Sequence, residues 1–407
     1  MPSYSGKFQY LDEAGAVLQQ APCQVSFDQE TCTITPSSGL PLSFDLGDVD
    51  RVAPAEWELE LTLHTGRRIQ LRQFGPAFGR LTEELIAAWR DRTVRCLLLE
   101  DLEEVARFNG SVAGMPAEIR IYGSNLAVLP LGGTAFQWRL AEIDSIAFEE
   151  ATYQISLQRG AERMLIGKLA KKTDEFLATL RETHEKLRRQ AAEALHQTFP
   201  FLTPDQLQRL ITLMPEGRSV SLPALATVHP RLPDALIARA VDESLKPYFD
   251  SLRARASAGS LMTGFKFVRP DEAKSGGAGD SPGDLPAQSA DDQAQPFFFW
   301  FFLPLAGKNV VAWEATVGSG RATYFFRAAP PVEEAISRLT RGLALVNFRR
   351  EPVYLPDDSL EQQPRFHRYA IGCRKLPELR ALRQAYLGRA IHSSLEEWEQ
   401  QVNSQPS

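Results

Sequence analysis

The chain is self-similar. Residues 24–71 laid over residues 118–165, an offset of 94, bring apolar positions into coincidence, and an internal period of this kind constrains the architecture before any local reading does. Val25, Phe27, Cys32 and Ile34 fall on Ile119, Ile121, Leu126 and Val128, two alternating runs joined by a polar turn, which predicts a hairpin in each copy. Pro36 falls on Pro130; Phe44, Leu46, Val49 and Val52 fall on Trp138, Leu140, Ile143 and Ile146, with Asp48 and Asp50 opposite Glu142 and Asp144. Leu59, Leu61 and Leu63 then meet Tyr153, Ile155 and Leu157 at period two, and Gly66 meets Gly160 at the next turn, a second hairpin. After one inserted residue, Leu81 and Leu85 match Phe176 and Leu180 in segments whose apolar residues recur every three or four positions. Each copy therefore closes with an amphipathic helix, from about Pro76 to about Trp89 in the first and onward to about Leu195 in the second. A strongly bent antiparallel sheet with one apolar face must cover that face, and a terminal helix across its open end does so.

Short strands, the Leu-x-Asp/Glu-(Val/Ile)-Asp-x-(Val/Ile) block at residues 46–52 and 140–146, a glycine hairpin and a capping helix together resemble the pleckstrin-homology-like fold in its bacterial and GRAM-type forms. The resemblance covers about residues 5–92 and 105–190. It implies a recognition module, since members of that fold bind inositol lipids, phosphopeptides, proline-rich peptides or other protein domains. Lipid-binding members carry a Lys/Arg cluster in the loop after the first strand. Here the early turns are Asp28-Gln29-Glu30-Thr31 and Tyr122-Gly123-Ser124-Asn125, acidic and neutral where a phosphate site needs cations.

We expect an α+β protein: tandem PH-like modules, each a bent antiparallel β-sandwich or barrel capped by a C-terminal helix, plus a helical connector and a third α+β domain. Module 1 spans residues 1–95, module 2 residues 100–197, the connector 198–256, the third domain 257–350, and a C-terminal helical segment 351–407. The connector opens on Thr203-Pro204-Asp205, a cap followed by a first-turn proline. Residues 270–295, rich in Gly, Ser, Ala, Asp, Pro and Gln, read as a disordered loop inserted between strands. Residues 310–317, a glycine turn at 318–320, residues 322–327 and a helix near 332–345 repeat the strand, turn, strand and helix order, which leaves a third, degenerate copy open. Residues 376–402 read as helical, with Leu379, Leu382, Tyr386 and Ile391 toward one side.

Chemistry is harder to find. With 45 basic and 51 acidic residues, the net charge of -6 excludes a whole-protein field that attracts nucleic acid. Cys23, Cys32, Cys96 and Cys373 form no CxxC pair, and His64, His184, His196, His229, His367 and His392 form no HExxH, so no metal is expected. The N-terminus carries no export signal, which points to the cytoplasm, and the apolar run at residues 297–305 falls short of the roughly twenty residues of a spanning helix. Gly307-Lys308 precedes Asn309 without the upstream glycine of a phosphate loop, Gly318 and Gly320 lack the third glycine of a dinucleotide site, and GxSxG is absent.

The expectation is thus a non-enzymatic cytoplasmic scaffold, without catalytic residues, cofactor or small-molecule substrate, that recognises a protein or peptide partner through its modules. Homo-oligomers are a sub-case. An alternative is recruitment to anionic membrane lipid or nucleic acid through local basic patches: Lys168, Lys171 and Lys172 before the helix of module 2, and Arg349, Arg350, Arg380 and Arg383. The arginines lie within residues 340–392, where ten Arg/Lys, Arg374-Lys375 among them, stand against five Asp/Glu. A second alternative, an unrecognised hydrolase, requires a nucleophile and a base within hydrogen-bond reach.

Overall fold

The computed structural model describes residues 3–267, 297–316 and 322–406; the expected disordered loop at 270–295 and the glycine turn at 318–320 lie outside the described residues. The protein is α+β, and its described residues form antiparallel sheets of seven, seven and six strands. The chain divides into two compact units, Met1–Thr183 with Glu361–Leu376, and His184–Leu360 with Pro377–Ser407.

In unit 1, module 1 consists of β1 (Ser3–Leu11), β2 (Val17–Phe27), β3 (Thr31–Pro36), β4 (Leu42–Asp45), β5 (Val49–Pro54), β6 (Glu58–Leu63), β7 (Arg68–Arg72) and α1 (Phe78–Cys96). Module 2 consists of β8 (Glu104–Val112), β9 (Met115–Tyr122), β10 (Asn125–Pro130), β11 (Phe136–Arg139), β12 (Ser145–Glu149), β13 (Gln154–Arg159), β14 (Glu162–Gly167) and the start of α2 (Thr173–Thr198). The strand orders, β4-β3-β2-β1-β7-β6-β5 and β11-β10-β9-β8-β14-β13-β12, are one permutation used twice. Pairing the first strand with the last curls each sheet into a barrel-like shell, and Leu81, Leu85, Phe176 and Leu180 of the two helices are fully buried. Registers repeat as well: Val25 faces Ile34 and Phe27 faces Cys32, just as Ile119 faces Val128 and Ile121 faces Leu126.

Two details of the repeat differ from the constant offset. Val52 faces Leu61 while Ile146 faces Leu157, so Leu59, Leu61 and Leu63 correspond to Ile155, Leu157 and Arg159 rather than to Tyr153, Ile155 and Leu157. A slip of two residues leaves period-two alternation intact, which is why the pattern hides it; Tyr153 itself sits in the turn at φ 54°, 58% exposed. The first strands are the second detail. Tyr4 faces Val25 and Phe108 faces Ile119, an offset of 108 − 4 = 104, so β1 and β8 do not register at 94. The loops after these true first strands, residues 12–16 and 113–114, contain no Lys or Arg.

The outer face of module 2 is covered by module 1. Glu118 and Arg120 on β9 are buried charges, and α1 supplies their partners: Arg90 Nη1 lies 3.3 Å from Glu118 Oε2 and Arg120 Nη2 lies 2.7 Å from Asp91 Oδ1. Gln137 donates to the Leu97 carbonyl at 2.5 Å, and the Gly132 amide to the Val52 carbonyl at 2.9 Å. Buried polar groups are thereby paired rather than stranded.

Unit 2 holds α3 (Pro204–Leu213), α4 (Leu222–Ala226), α5 (Leu232–Ala240), α6 (Lys246–Arg255) and α7 (Val332–Leu345), with a sheet of β15 (Val220–Ser221), β16 (Met262–Phe267), β17 (Phe297–Pro304), β18 (Val310–Ala315), β19 (Ala322–Arg327) and β20 (Tyr386–Ile391). Thr203 and Gln206 close a reciprocal capping box at the start of α3. One core runs from Ala191 to Val402 and takes side chains from the connector, the sheet and the last helix, Leu395–Asn403. The strands lie in chain order with no pairing of first to last, so this sheet does not repeat the order of the modules. The helix expected over 376–402 is corrected: it is a helix, Pro377–Ala385, then β20, then Leu395–Asn403. Pairing with β19 satisfies backbone groups that an exposed sheet edge leaves open, and this outweighs local helical periodicity. Among the described residues, no helix is long and apolar enough to cross a membrane.

Candidate functional site

The connection between β4 and β5 forms an acidic corner on module 1. Asp45 caps a single 3-10 turn, Leu46–Asp48, its Oδ1 accepting from the Gly47 amide at 2.6 Å. Arg92 of α1 grips the same carboxylate with both ends of its fork, Nε 2.9 Å from Oδ1 and Nη2 2.6 Å from Oδ2, and reaches Glu30 at 3.1 Å. The hydrogen bonds to Asp45 raise the Arg92 pKa further. Trp89, 1% exposed, donates Nε1 to the Val49 carbonyl at 2.9 Å. The corner is therefore fixed from within by α1.

Its outer groups hold a segment 326 residues further along the chain. This arm, Glu361–Leu376, belongs to unit 1 and contains the helix His367–Lys375. Arg374 Nη2 donates to Asp48 Oδ1 at 2.6 Å, and Lys375 Nζ donates to the Val49 carbonyl at 2.9 Å and to Asp50 Oδ1 at 3.3 Å. Arg368 pairs with Glu100 and, at 3.4 Å, with Asp101, while His367 Nε2 lies 3.9 Å from Asp45 Oδ2. The Lys375 side chain is only 3% exposed. Ile371 is fully buried where Gly47 has no side chain: a Cβ on Gly47 would fall 3.3 Å from Ile371 Cδ1 and 2.7 Å from Cys96 Sγ. His367, Ile371, Arg374 and Lys375 stand at i, i+4, i+7 and i+8, one face of a helix laid in a groove. Burial pushes the Cys96 thiol up to about 12, against the pull of the Arg92 and Lys375 cations.

Module 2 builds the same turn with other chemistry. Arg139 stands for Asp45, Ala141 for Gly47 and, at the helix offset of 95, Leu187 for Arg92. Its matching carboxylates engage module 2 itself: Glu142 Oε2 lies 3.6 Å from Arg159 Nη1, and Asp144 Oδ2 accepts from the Gly160 amide at 2.6 Å. Arg159 also stacks over the Trp138 ring at 4.4 Å.

No protein-family model matches this sequence, and no curated protein matches it.

The seven basic residues singled out from the sequence divide between the units. Lys168, Lys171 and Lys172 are exposed on unit 1 between β14 and α2, with Lys172 Nζ 5.9 Å from the centre of the Phe108 ring. In unit 2, Arg350 is buried over Tyr324 at 5.8 Å, Arg349 is half-buried and Arg380 exposed. Arg383 is engaged inside the fold, donating to the carbonyls of Pro352 and, at 2.7 Å, Leu355, and to Asp357 Oδ1 at 2.6 Å. Arg374 and Lys375, part of the same basic excess, join the acidic corner of module 1. Their adjacency is visible in the sequence, but the corner they meet is set by tertiary structure.

Unit 2 also brings a hydroxyl to a histidine. Thr323 Oγ1 donates to Glu314 Oε2 at 2.7 Å, and lies 3.0 Å from both His392 Nε2 and Trp398 Nε1. Because the single hydroxyl proton goes to Glu314, Nε2 faces the oxygen as a donor. Glu314 Oε2 lies 3.4 Å from the same ring nitrogen, whereas His392 Nδ1, where an orienting carboxylate belongs, has no hydrogen-bond partner among the described residues. Thr323 and Glu314 are 0% and 1% exposed. The geometry anchors Trp398 of the last helix rather than presenting a nucleophile. Among the described residues, no group of three or more His, Cys, Asp or Glu side chains converges as a metal site.

Proposed function

We propose that this chain is a non-enzymatic cytoplasmic adaptor or scaffold whose PH-like modules recognise a protein or peptide partner. The observation that carries the reading is the arm: module 1 holds a helix distant in sequence through a charged corner and the buried side chain of Ile371, the contact set of helix-in-groove recognition. The PH-like reading draws support from the seven-stranded order used twice, closed first strand to last and followed each time by a helix. The loops after the first strands, residues 12–16 and 113–114, carry no Lys or Arg, which favours a protein partner over a phosphorylated lipid.

Affinity capture of the intact protein from its native host, followed by cross-linking and mass spectrometry, tests the proposal. A stoichiometric protein partner cross-linked to residues within 3–183 is expected, and recovery of no such partner at low or moderate salt sinks it. Recovery instead of lipid or nucleic acid, lost steeply with salt and abolished by Glu at Lys168, Lys171 and Lys172, would replace it with the electrostatic alternative.

A further inference from the structure

We infer that the acidic corner of module 1 is a docking site for a basic amphipathic helix, and that the arm occupies it as a displaceable internal ligand. This rests on the adaptor reading and names the partner class. The partner helix carries an apolar residue followed three and four positions later by adjacent cations, the pattern of Ile371, Arg374 and Lys375.

Charge complementarity selects that occupant. Module 1 offers Asp45, Asp48 and Asp50, the link after α1 adds Glu100 and Asp101, and the arm answers with His367, Arg368, Arg374 and Lys375. At the corner the apolar contact is shape-specific, Ile371 over the bare Cα of Gly47, and Tyr369, Ala370 and Leu376 of the arm are buried as well. Module 1 is complete beneath it, because the core from Tyr4 to Trp89 includes no residue of the arm. Both neighbours of the arm, Leu360 and Pro377, belong to unit 2, so the arm is a separate stretch of chain added to module 1. The Arg374–Asp48 pair is partly solvated, at 27% and 22% side-chain exposure, which keeps it weak, whereas the Lys375 side chain is 3% exposed. Module 2 provides an internal contrast, since Arg139 and Ala141 place a like charge and an extra methyl where a basic helix would seat.

The probe is a fluorescein-labelled peptide of residues 361–376, titrated into the full chain. Ile371→Asp with Lys375→Glu undocks the internal arm, and hydrogen exchange at residues 367–375 reports the release. The released chain is expected to bind the peptide at least ten-fold tighter than the wild type, whose own arm competes. Adding Asp48→Lys or Gly47→Ala to it is expected to weaken peptide binding at least ten-fold. Should the doubly substituted chain not fold, Arg374→Gln with Lys375→Gln removes only the ionic contacts and permits the same titration. A released arm without tighter peptide binding overturns the inference, as does binding indifferent to Asp48→Lys. A concentration-dependent wild-type dimer dispersed by the arm substitutions assigns the arm to a second copy and overturns the internal assignment. Peptide binding without a captured host partner leaves this site standing and removes the adaptor reading; a host partner without peptide binding does the reverse.

Discussion

Modules 1 and 2 share strand order, hairpin register and closing helix, yet they differ in what they do with the same turn. In module 1 the 3-10 turn is acidic, has glycine at its centre and faces a helix from elsewhere in the chain. In module 2 the turn carries Arg139 and Ala141, and its carboxylates meet Arg159 and the Gly160 amide of the same module. The outer faces diverge too: β3 alternates between inside and outside, whereas all of β10 is buried. The repeat therefore keeps the shell that folds and varies the outer surfaces, as expected when burial constrains alternate residues and nothing constrains the rest.

The shell is where the two copies should behave alike, and the largest effect tests that. Leu85→Ala and Leu180→Ala each remove a fully buried side chain from an equivalent helix position, and each is expected to cost about 2–5 kcal/mol. Urea denaturation of the two variants checks it; losses differing by more than about 2 kcal/mol would break the equivalence of the copies.

An intermediate effect is expected where the copies differ. Arg92→Leu gives α1 the residue that α2 carries at position 187, and leaves Asp45 without its fork. The expected loss is about 2 kcal/mol, below that of a fully buried pair because Asp45 and Glu30 are partly solvated. The same variant should raise thiol-reagent labelling of Cys96 in a Cys373→Ser background, read by mass spectrometry, because the corner that covers it loosens. Unchanged stability and labelling would mean that the clamp is incidental.

The smallest effect concerns the first shared hairpin, where Asp28 stands against Tyr122. Amides of Thr31 and Glu30 hold the Asp28 carboxyl below its ordinary range. A lowered carboxyl contributes its stability above the ordinary value near 3.8 and loses it as pH falls through the depressed one. Asp28→Asn should therefore cost less than about 1 kcal/mol at neutral pH, and the difference from wild type should vanish on strong acidification. A pH-independent difference in the denaturation midpoint would show that the turn is held by something else.

What the sequence made legible was whatever its periodicity encodes. The hairpin of Val25, Phe27, Cys32 and Ile34 and its copy came through with the right partners, as did the helices. The first strands were hidden because β1 and β8 stand at another offset, and the Tyr153 match failed because period-two patterns tolerate a slip of two. β20 was hidden because six residues between helical stretches become a strand only once β19 offers an edge. The acidic corner was visible as the block at residues 46–52, but its partner was not. Arg374 and Lys375 read as surface charge until the chain's return brought them to Asp48 and Asp50.

The Val49 carbonyl accepts from Trp89 inside the module and from Lys375 outside it. An oxygen with two lone pairs accepts from both at once, and the inner bond is made wholly within module 1. The receptor is thus preorganised: the entropic cost of association falls on the incoming helix alone, and stiffening that helix in advance is the direct route to a tighter binder.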